Sequence, residues 1–314
     1  RVLPVVAGRP RRDRGGMRRV TLALLLALLS VGVGAQAVDD SRTRIPFQQT
    51  DAWAMAYVAA STLFTGHGAS PELDPGAYAL SAELGHVPRL DEDALYVGLG
   101  GSKREDLNKS PVVGRARLWL GLPYRFVFEL GWVPPLEIDG AHAQGLVSAA
   151  LGRRWLQRGR WTLSARLHGQ AGAAVGDVTC PAAIAGSADP ARNPFGCLRP
   201  SRDRIELGQY GLEGTAAFDW GARGQGHASL GWLRMEPEVR IHADLRDYDN
   251  RSALVSRGLR PYAALGFSHD HGARWQSAVE LLYLPLRIRR PGHDPEASPY
   301  WSLRLMLRRR MGAD

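Results

Sequence analysis

The chain has 314 residues and a formal charge of +9, but residues 1–37 alone hold seven Arg and one Asp, which leaves +3 for residues 38–314. So small an excess over that length gives no basic footprint for nucleic acid. With 45% hydrophobic residues and no low-complexity linker, one domain is expected over 38–314.

Taken from the start, residues 1–16 are rich in Arg and Pro and precede Met17, and we read them as a leader extension without a structural part. Met17-Arg18-Arg19, the apolar run 21–35 and Ala35-Gln36-Ala37 follow the order of a secretory signal, placing residues 17–37 in a cleaved peptide. The run is too short to span a bilayer as a helix.

Beyond the signal, apolar residues recur at every second position, which is the strand period. In 160–171 one face reads Trp161, Leu163, Ala165, Leu167 and the other Arg160, Thr162, Ser164, Arg166, His168. The same alternation runs through 115–122, 125–132 and 301–308. Strands of this pattern also build sandwiches, but these reach about 9 to 13 residues, a length that crosses a membrane at a tilt. Short connections at 123–124, 157–159, 221–226 and 270–273 alternate with long ones at 102–112, 133–141, 176–203, 244–257 and 289–299. A sandwich has no reason for that asymmetry, whereas a membrane barrel with short turns at one end and long loops at the other does.

Counting back from the C-terminus predicts strands near 299–311, 273–288, 258–269, 226–243, 204–219, 160–175, 143–155, 125–133, 113–122, 94–101 and 76–87. An even count then requires a twelfth at 51–65, where Trp53, Met55, Tyr57 and Ala59 alternate. The expected fold is therefore all-β, an antiparallel up-and-down transmembrane β-barrel of twelve strands. The alternative is ten strands with an N-terminal helix or plug, because 51–65 is also rich in helix-forming Ala. Trp132, Trp155, Trp161, Trp220, Trp275 and Trp301 fall at strand ends, as interfacial girdles would.

With its signal, alternating strands, aromatic ends and loop asymmetry, the chain resembles the Gram-negative outer-membrane β-barrel proteins over most of its length. The resemblance implies the outer membrane as its location, with membrane lipid, lipopolysaccharide and the barrel assembly machinery as partners. The strand at 300–311 resembles the closing strand that this machinery reads, but ends in Arg308-Arg309-Arg310-Met311 where such strands carry a terminal aromatic.

Turning polar faces inward collects Glu83, Arg115, Arg117, Arg125, Glu129, Arg166, His168, Glu213, Glu280, Arg304 and Arg308 as lumen-lining residues. Such charges either line a constricted aqueous path or pair into a network that fills the barrel. The first option is a narrow passive channel for small polar solutes; the second is a structural or surface-interaction barrel with a closed lumen. A lipid-modifying enzyme is a third reading, with Ser268-His269-Asp270-His271 as its best local candidate. That segment falls in a turn without an oxyanion donor, so no catalytic residue is assigned and no enzyme is expected. No cofactor is expected, since no Gly-rich phosphate loop occurs, and no metal, since the paired His positions are only half a site. Cys180 and Cys197 lie in the long loop 176–203 of a chain bound for an oxidising compartment, and a loop-stapling disulfide is expected.

Overall fold

The computed structural model describes residues 42–246 and 249–311; the leader and signal readings lie outside them. Ten strands form the wall: β1 Tyr78–His86, β2 Val112–Leu122, β3 Phe126–Trp132, β4 His142–Arg158, β5 Trp161–Gly176, β6 Gln209–Trp220, β7 Gly224–Met235, β8 Gly258–His271, β9 Trp275–Leu284 and β10 Tyr300–Met311. Each pairs antiparallel with its sequence neighbour. β10 returns to β1, from Tyr78 opposite Met311 to Gly85 opposite Arg304, so the sheet closes into a ring. Four short strands, Arg42–Arg44, Asp203–Glu206, Glu238–Arg240 and Ala253–Val255, continue the sheet above β5 at the long-loop rim.

The alternation read from the sequence maps onto the wall with its sense reversed from a soluble protein. Along β10 the outward Trp301, Leu303, Leu305 and Leu307 are exposed, while the inward Ser302, Arg304, Met306 and Arg308 are buried. Outward apolar residues on β5, β6 and β7, such as Leu167, Leu212 and Leu230, are exposed in the same way. A contiguous apolar exterior of this kind is suited to hydrocarbon.

Aromatic residues bound this band. Trp132, Tyr210, Trp232 and Trp301 stand toward the long loops, and Tyr78, Trp155, Trp161, Trp220 and Trp275 toward the short turns, all exposed. From Tyr210 to Trp220 is about 34 Å along the strand, and at a tilt of about 40° about 26 Å across the membrane. That separation matches the roughly 25 Å apolar band of such barrels.

Two expected strands are absent from the ring, which therefore has ten members and not twelve. The segment 94–101 is interrupted at Gly100 and Gly101, whose φ values of 69° and 100° belong to the left-handed region. It breaks into 3₁₀ turns around Tyr96–Gly98, which pairs only with Lys103–Arg104. Residues 51–65 form instead the helix α1, Thr50–Ser61. Ala52, Ala54, Ala56, Ala59 and Ala60 favour helix, and with the ring already complete no strand neighbour is left to pair with this segment. The helix lies inside the barrel: Ala56, Ala59 and Ala60 have no exposure, and Trp53 and Tyr57 pack with Leu282, Leu284 and Tyr300 of the wall.

The chain thus threads its own barrel. Gln49 bridges to Arg289 at the long-loop rim, α1 follows, and residues 62–71 are all buried as the chain descends. At the short-turn rim Gly76 N–H donates to the Gly121 carbonyl at 2.9 Å, and β1 begins.

Candidate functional site: a plugged and paired lumen

Phe64, the third residue after α1, is fully buried at the waist of the barrel. Three guanidiniums from three directions sit over its ring, Arg117 at 3.9 Å, Arg115 at 4.9 Å and Arg166 at 4.9 Å from the centroid. Cation–π attraction strengthens where water is excluded, as here.

The same three arginines are held by carboxylates from the wall. Arg117 pairs with Glu83 on one side, Nε to Oε1 at 2.6 Å and Nη2 to Oε2 at 2.9 Å, and Nη1 donates to Glu129 Oε2 at 3.0 Å. Arg166 donates to the same Glu129 oxygen at 2.9 Å and lies 3.6 Å from Glu213 Oε1. Arg115 Nη1 stands 3.8 Å from Glu83 Oε2, and its Nη2 donates to Gln170 Oε1 at 3.0 Å. Strand geometry explains the assembly: Glu83 faces Arg115 across the β1–β2 ladder, and Glu213 faces Arg166 across β5–β6. Opposite charges directly across a ladder are the favourable case.

The descending chain completes the network. Arg115 Nη2 donates to the Thr62 carbonyl at 2.5 Å, Arg166 Nη1 to the Phe64 carbonyl at 2.7 Å, and Arg304 to the carbonyls of Ala60 and Leu63. Arg115 and Arg304 so satisfy carbonyls at and just beyond the C-terminal end of α1, where the helix dipole favours cations. Thr65 Oγ1 donates to Glu280 Oε1 at 2.5 Å, and Gly66 N–H to Glu213 Oε1 at 3.1 Å. His67 Nε2 approaches Glu83 Oε2 at 3.7 Å, and His227 Nε2 approaches Glu280 Oε2 at 3.3 Å.

Ten of the eleven residues assigned inward by alternation are buried inside the barrel: Glu83, Arg115, Arg117, Glu129, Arg166, His168, Glu213, Glu280, Arg304 and Arg308. Arg308 sits apart from the waist, donating to Gln276 with its guanidinium 4.9 Å from the Trp119 ring. Arg125 is not in the lumen. Pro123 ends β2, the chain turns over Pro123–Arg125 with φ of 64° at Tyr124 and 62° at Arg125, and Arg125 lies exposed off the ladder. Alternation has no meaning at a residue outside the pleat.

Alternation also missed members of the site. Tyr262 on β8 donates to Glu213 Oε2 at 2.9 Å and lies 3.0 Å from His168 Nε2. Its inward parity was legible, but a Tyr there reads as well for an apolar core. Phe64 falls in the expected strand 51–65 on the face opposite Trp53 and Tyr57, and His67 lies just beyond it, so neither was assigned to the site. The serine–histidine candidate does not assemble: Ser268 is buried, whereas His269 and His271 follow the opposite face with rings 4.8 Å apart. His271 Nε2 is 2.8 Å from Ser277 Oγ in an exposed contact at the short turns.

Cys180 and Cys197 form a disulfide, Cα–Cα 5.7 Å. The stapled loop packs on its neighbours at the rim, with Cys197 bridging Leu245 and Lys103 Nζ donating to the Thr179 carbonyl at 2.6 Å. Lys103 also lies over the Phe195 ring at 5.5 Å.

The chain is built as a transmembrane β-barrel. Its closed ring, apolar exterior and two aromatic girdles carry that statement. No family model matches the sequence, and no curated protein does. Among solved structures it is similar to an outer membrane channel from Pseudomonas putida F1, at 11% identity and a TM-score of 0.39, covering 79% of this chain and all of that one. It is also similar to Ail, the attachment invasion locus protein of Yersinia pestis, at 8% identity and TM-score 0.31, covering 76% and 99%. A third is the NanC porin, at 10% and 0.31, covering 73% and 98%. At such scores the neighbours carry no weight for function, which has to be read from the lumen itself.

Proposed function

We propose that the protein is an outer-membrane barrel whose lumen is closed to polar solutes by its own N-terminal segment. Short turns then face the periplasm and long loops the medium, with lipopolysaccharide and the barrel assembly machinery as partners. The observation that supports closure over a narrow polar channel is Phe64, seated at the waist beneath three guanidiniums that are each held by wall carboxylates or plug carbonyls. Ions crossing the barrel would have to displace pairs whose charges have already been taken out of water. A polar cavity of about 220 Å³ bounded by Arg154, Asp219, Asp270 and Arg308 lies at the short-turn end against Ala69 and Pro71 of the buried segment.

Planar-bilayer recording tests this. The purified wild-type barrel is expected to insert without conductance steps, and the Phe64→Ala, Arg117→Ala, Arg166→Ala triple variant to leak through the thinned waist. Steady ohmic steps from the wild type overturn the proposal.

A further inference from the structure

Although the ring is closed lower down, one stretch of wall near the long-loop rim lacks a ladder. The last pair joining β2 to β3 is Ala116 with Trp132, and above it β2 continues to Val112 paired with β1 alone. On the other side Val133 N–H donates to the Leu146 carbonyl at 3.0 Å, and there β3 gives out. Pro134 and Pro135 follow, which offer no N–H to a neighbour.

β4 bends at the same height. Its register shifts between Gln144 and Val147, Gly145 takes φ of 59°, and Leu146 turns inward to 1% exposure. The bulge fits closely, since a Cβ on Gly172 of β5 would lie 2.4 Å from the Gly145 carbonyl oxygen. Residues 142–144 then pair with β5 only, leaving a break between them and residues 112–115 of β2. The β2 side of the break is finished locally, because Ser110 Oγ donates to the Val112 carbonyl at 2.6 Å. Prolines, a bulge and a side-chain hydrogen bond are the devices by which a sheet edge is kept from pairing.

Behind the break lies a cavity of about 260 Å³. Leu84 and Leu136, both exposed on the outside, line its outer part; Val58 and Thr62, from the helix and plug inside, line its inner part, with Leu146 and Leu207 between them. One cavity touching both faces of a barrel passes through its wall. Leu84 belongs to the outward apolar band and pairs across to Leu305, so the mouth opens beside surface that meets hydrocarbon. The cation at its upper end, Lys109, is already held by Asp106 and Asp177 at 2.8 Å each, so the lining offers a ligand no uncommitted charge there.

The geometry points to a lateral port, through which a small uncharged apolar group passes between the membrane's hydrocarbon and a binding pocket beside α1. Its size follows from the cavity: an apolar cavity of about 150 Å³ accepts benzene, and drug-sized ligands need about 300 Å³ or more. A single ring or a short alkyl segment fits between these limits. It can be a free apolar solute dissolved in the bilayer or the end of a lipid acyl chain. The port is independent of the closed waist and does not cross it.

The test uses full-length barrel reconstituted in dimyristoylphosphatidylcholine vesicles, titrated with fluorobenzene and followed by ¹⁹F NMR. A saturable bound resonance is expected from wild type. It should weaken by about tenfold or more in Gly114→Trp, where an added side chain starts in open space with only the Glu83 carbonyl near, at 3.9 Å. Leu265→Trp, on the outward face of β8, should leave it unchanged. Val58→Phe fills the pocket from inside and should abolish it, which keeps the test decisive if the first variant does not fold. No saturable resonance in wild type, or undiminished binding in both filled variants, overturns the port. Vesicles of phosphatidylcholine fluorinated at the acyl terminus separate the sources. A bound acyl resonance displaced by fluorobenzene supports a resident lipid chain, and fluorobenzene binding without one supports a free solute. Bilayer conductance reads only the waist, so failure of that proposal and failure of this one are separate results.

Discussion

At the waist the inward positions of the strands are Glu83, Arg117, Glu129, Arg166 and Glu213, while in the long-loop half the inward positions are Leu233, Met235, Leu282, Leu284 and Tyr300. A single strand can supply both: β9 presents Glu280 to the waist and, two and four residues on, Leu282 and Leu284 to the helix. The barrel backbone is the same in both halves, so the filling is set by what the N-terminal segment brings inside. Where that segment is an Ala-rich helix with no free backbone group along its sides, alkyl side chains face it. Where it is an open chain with bare carbonyls, arginines face it, because those carbonyls need donors.

The largest expected effect lies at the waist. Arg117→Ala leaves Glu83 buried without its main partner and Glu129 with Arg166 alone, and strips the nearest cation from Phe64, and it should cost about 3–5 kcal/mol in chemical denaturation of the reconstituted barrel. Adding Glu83→Gln and Glu129→Gln to that variant should recover a large part of the loss, because the penalty comes from uncompensated charge. If Arg117→Ala costs little, the waist is hydrated and the contrast between the halves collapses.

In the apolar half the cost has another origin. Leu282→Ala, at a position with no exposure among the residues packed on α1, should destabilise by about 2–4 kcal/mol through lost burial and the cavity left behind. Its cost should not change with ionic strength, and no second substitution of charge should rescue it. Equal rescue of both sites by charge neutralisation would break the comparison.

How much of this was legible beforehand differs between the halves for a physical reason. Alternation with a polar inward face predicted all ten wall strands, with 226–243 overrunning β7 by eight residues, and turned both Arg166 and Glu213 inward. It was blind in the long-loop half, where Leu281, Leu282, Tyr283 and Leu284 are apolar on both faces. A strand that loses its alternation while remaining apolar has something apolar on each side, lipid outside and here α1 inside. That local signal, taken together with the Ala content of 52–60, favours the ten-strand alternative over twelve. Arg125 and the 94–101 segment failed for a different reason, since turns with left-handed residues uncouple side-chain direction from sequence parity. Phe64 was beyond reach, because its role depends on where the chain that follows α1 lies inside the barrel.

The smallest expected effect concerns the rim above both halves, where charge meets burial outside the membrane. Glu105 accepts from Lys103 Nζ at 2.9 Å, and its backbone N–H donates to the Leu95 carbonyl at 2.9 Å, tying the 87–111 loop to itself. Burial raises its carboxyl to about 7, with Lys103 opposing that rise and Asp203 and Asp51 adding to it. Because the folded value lies above the unfolded one, the stability this group contributes is fully present below its ordinary range. It is lost as pH rises through about 7. Hydrogen exchange at the Glu105 amide, corrected for the intrinsic rate, should therefore show roughly tenfold or greater protection at pH 5 over pH 8. Glu105→Gln removes the titration, and should hold the loop at pH 8 as the wild type holds it at pH 5.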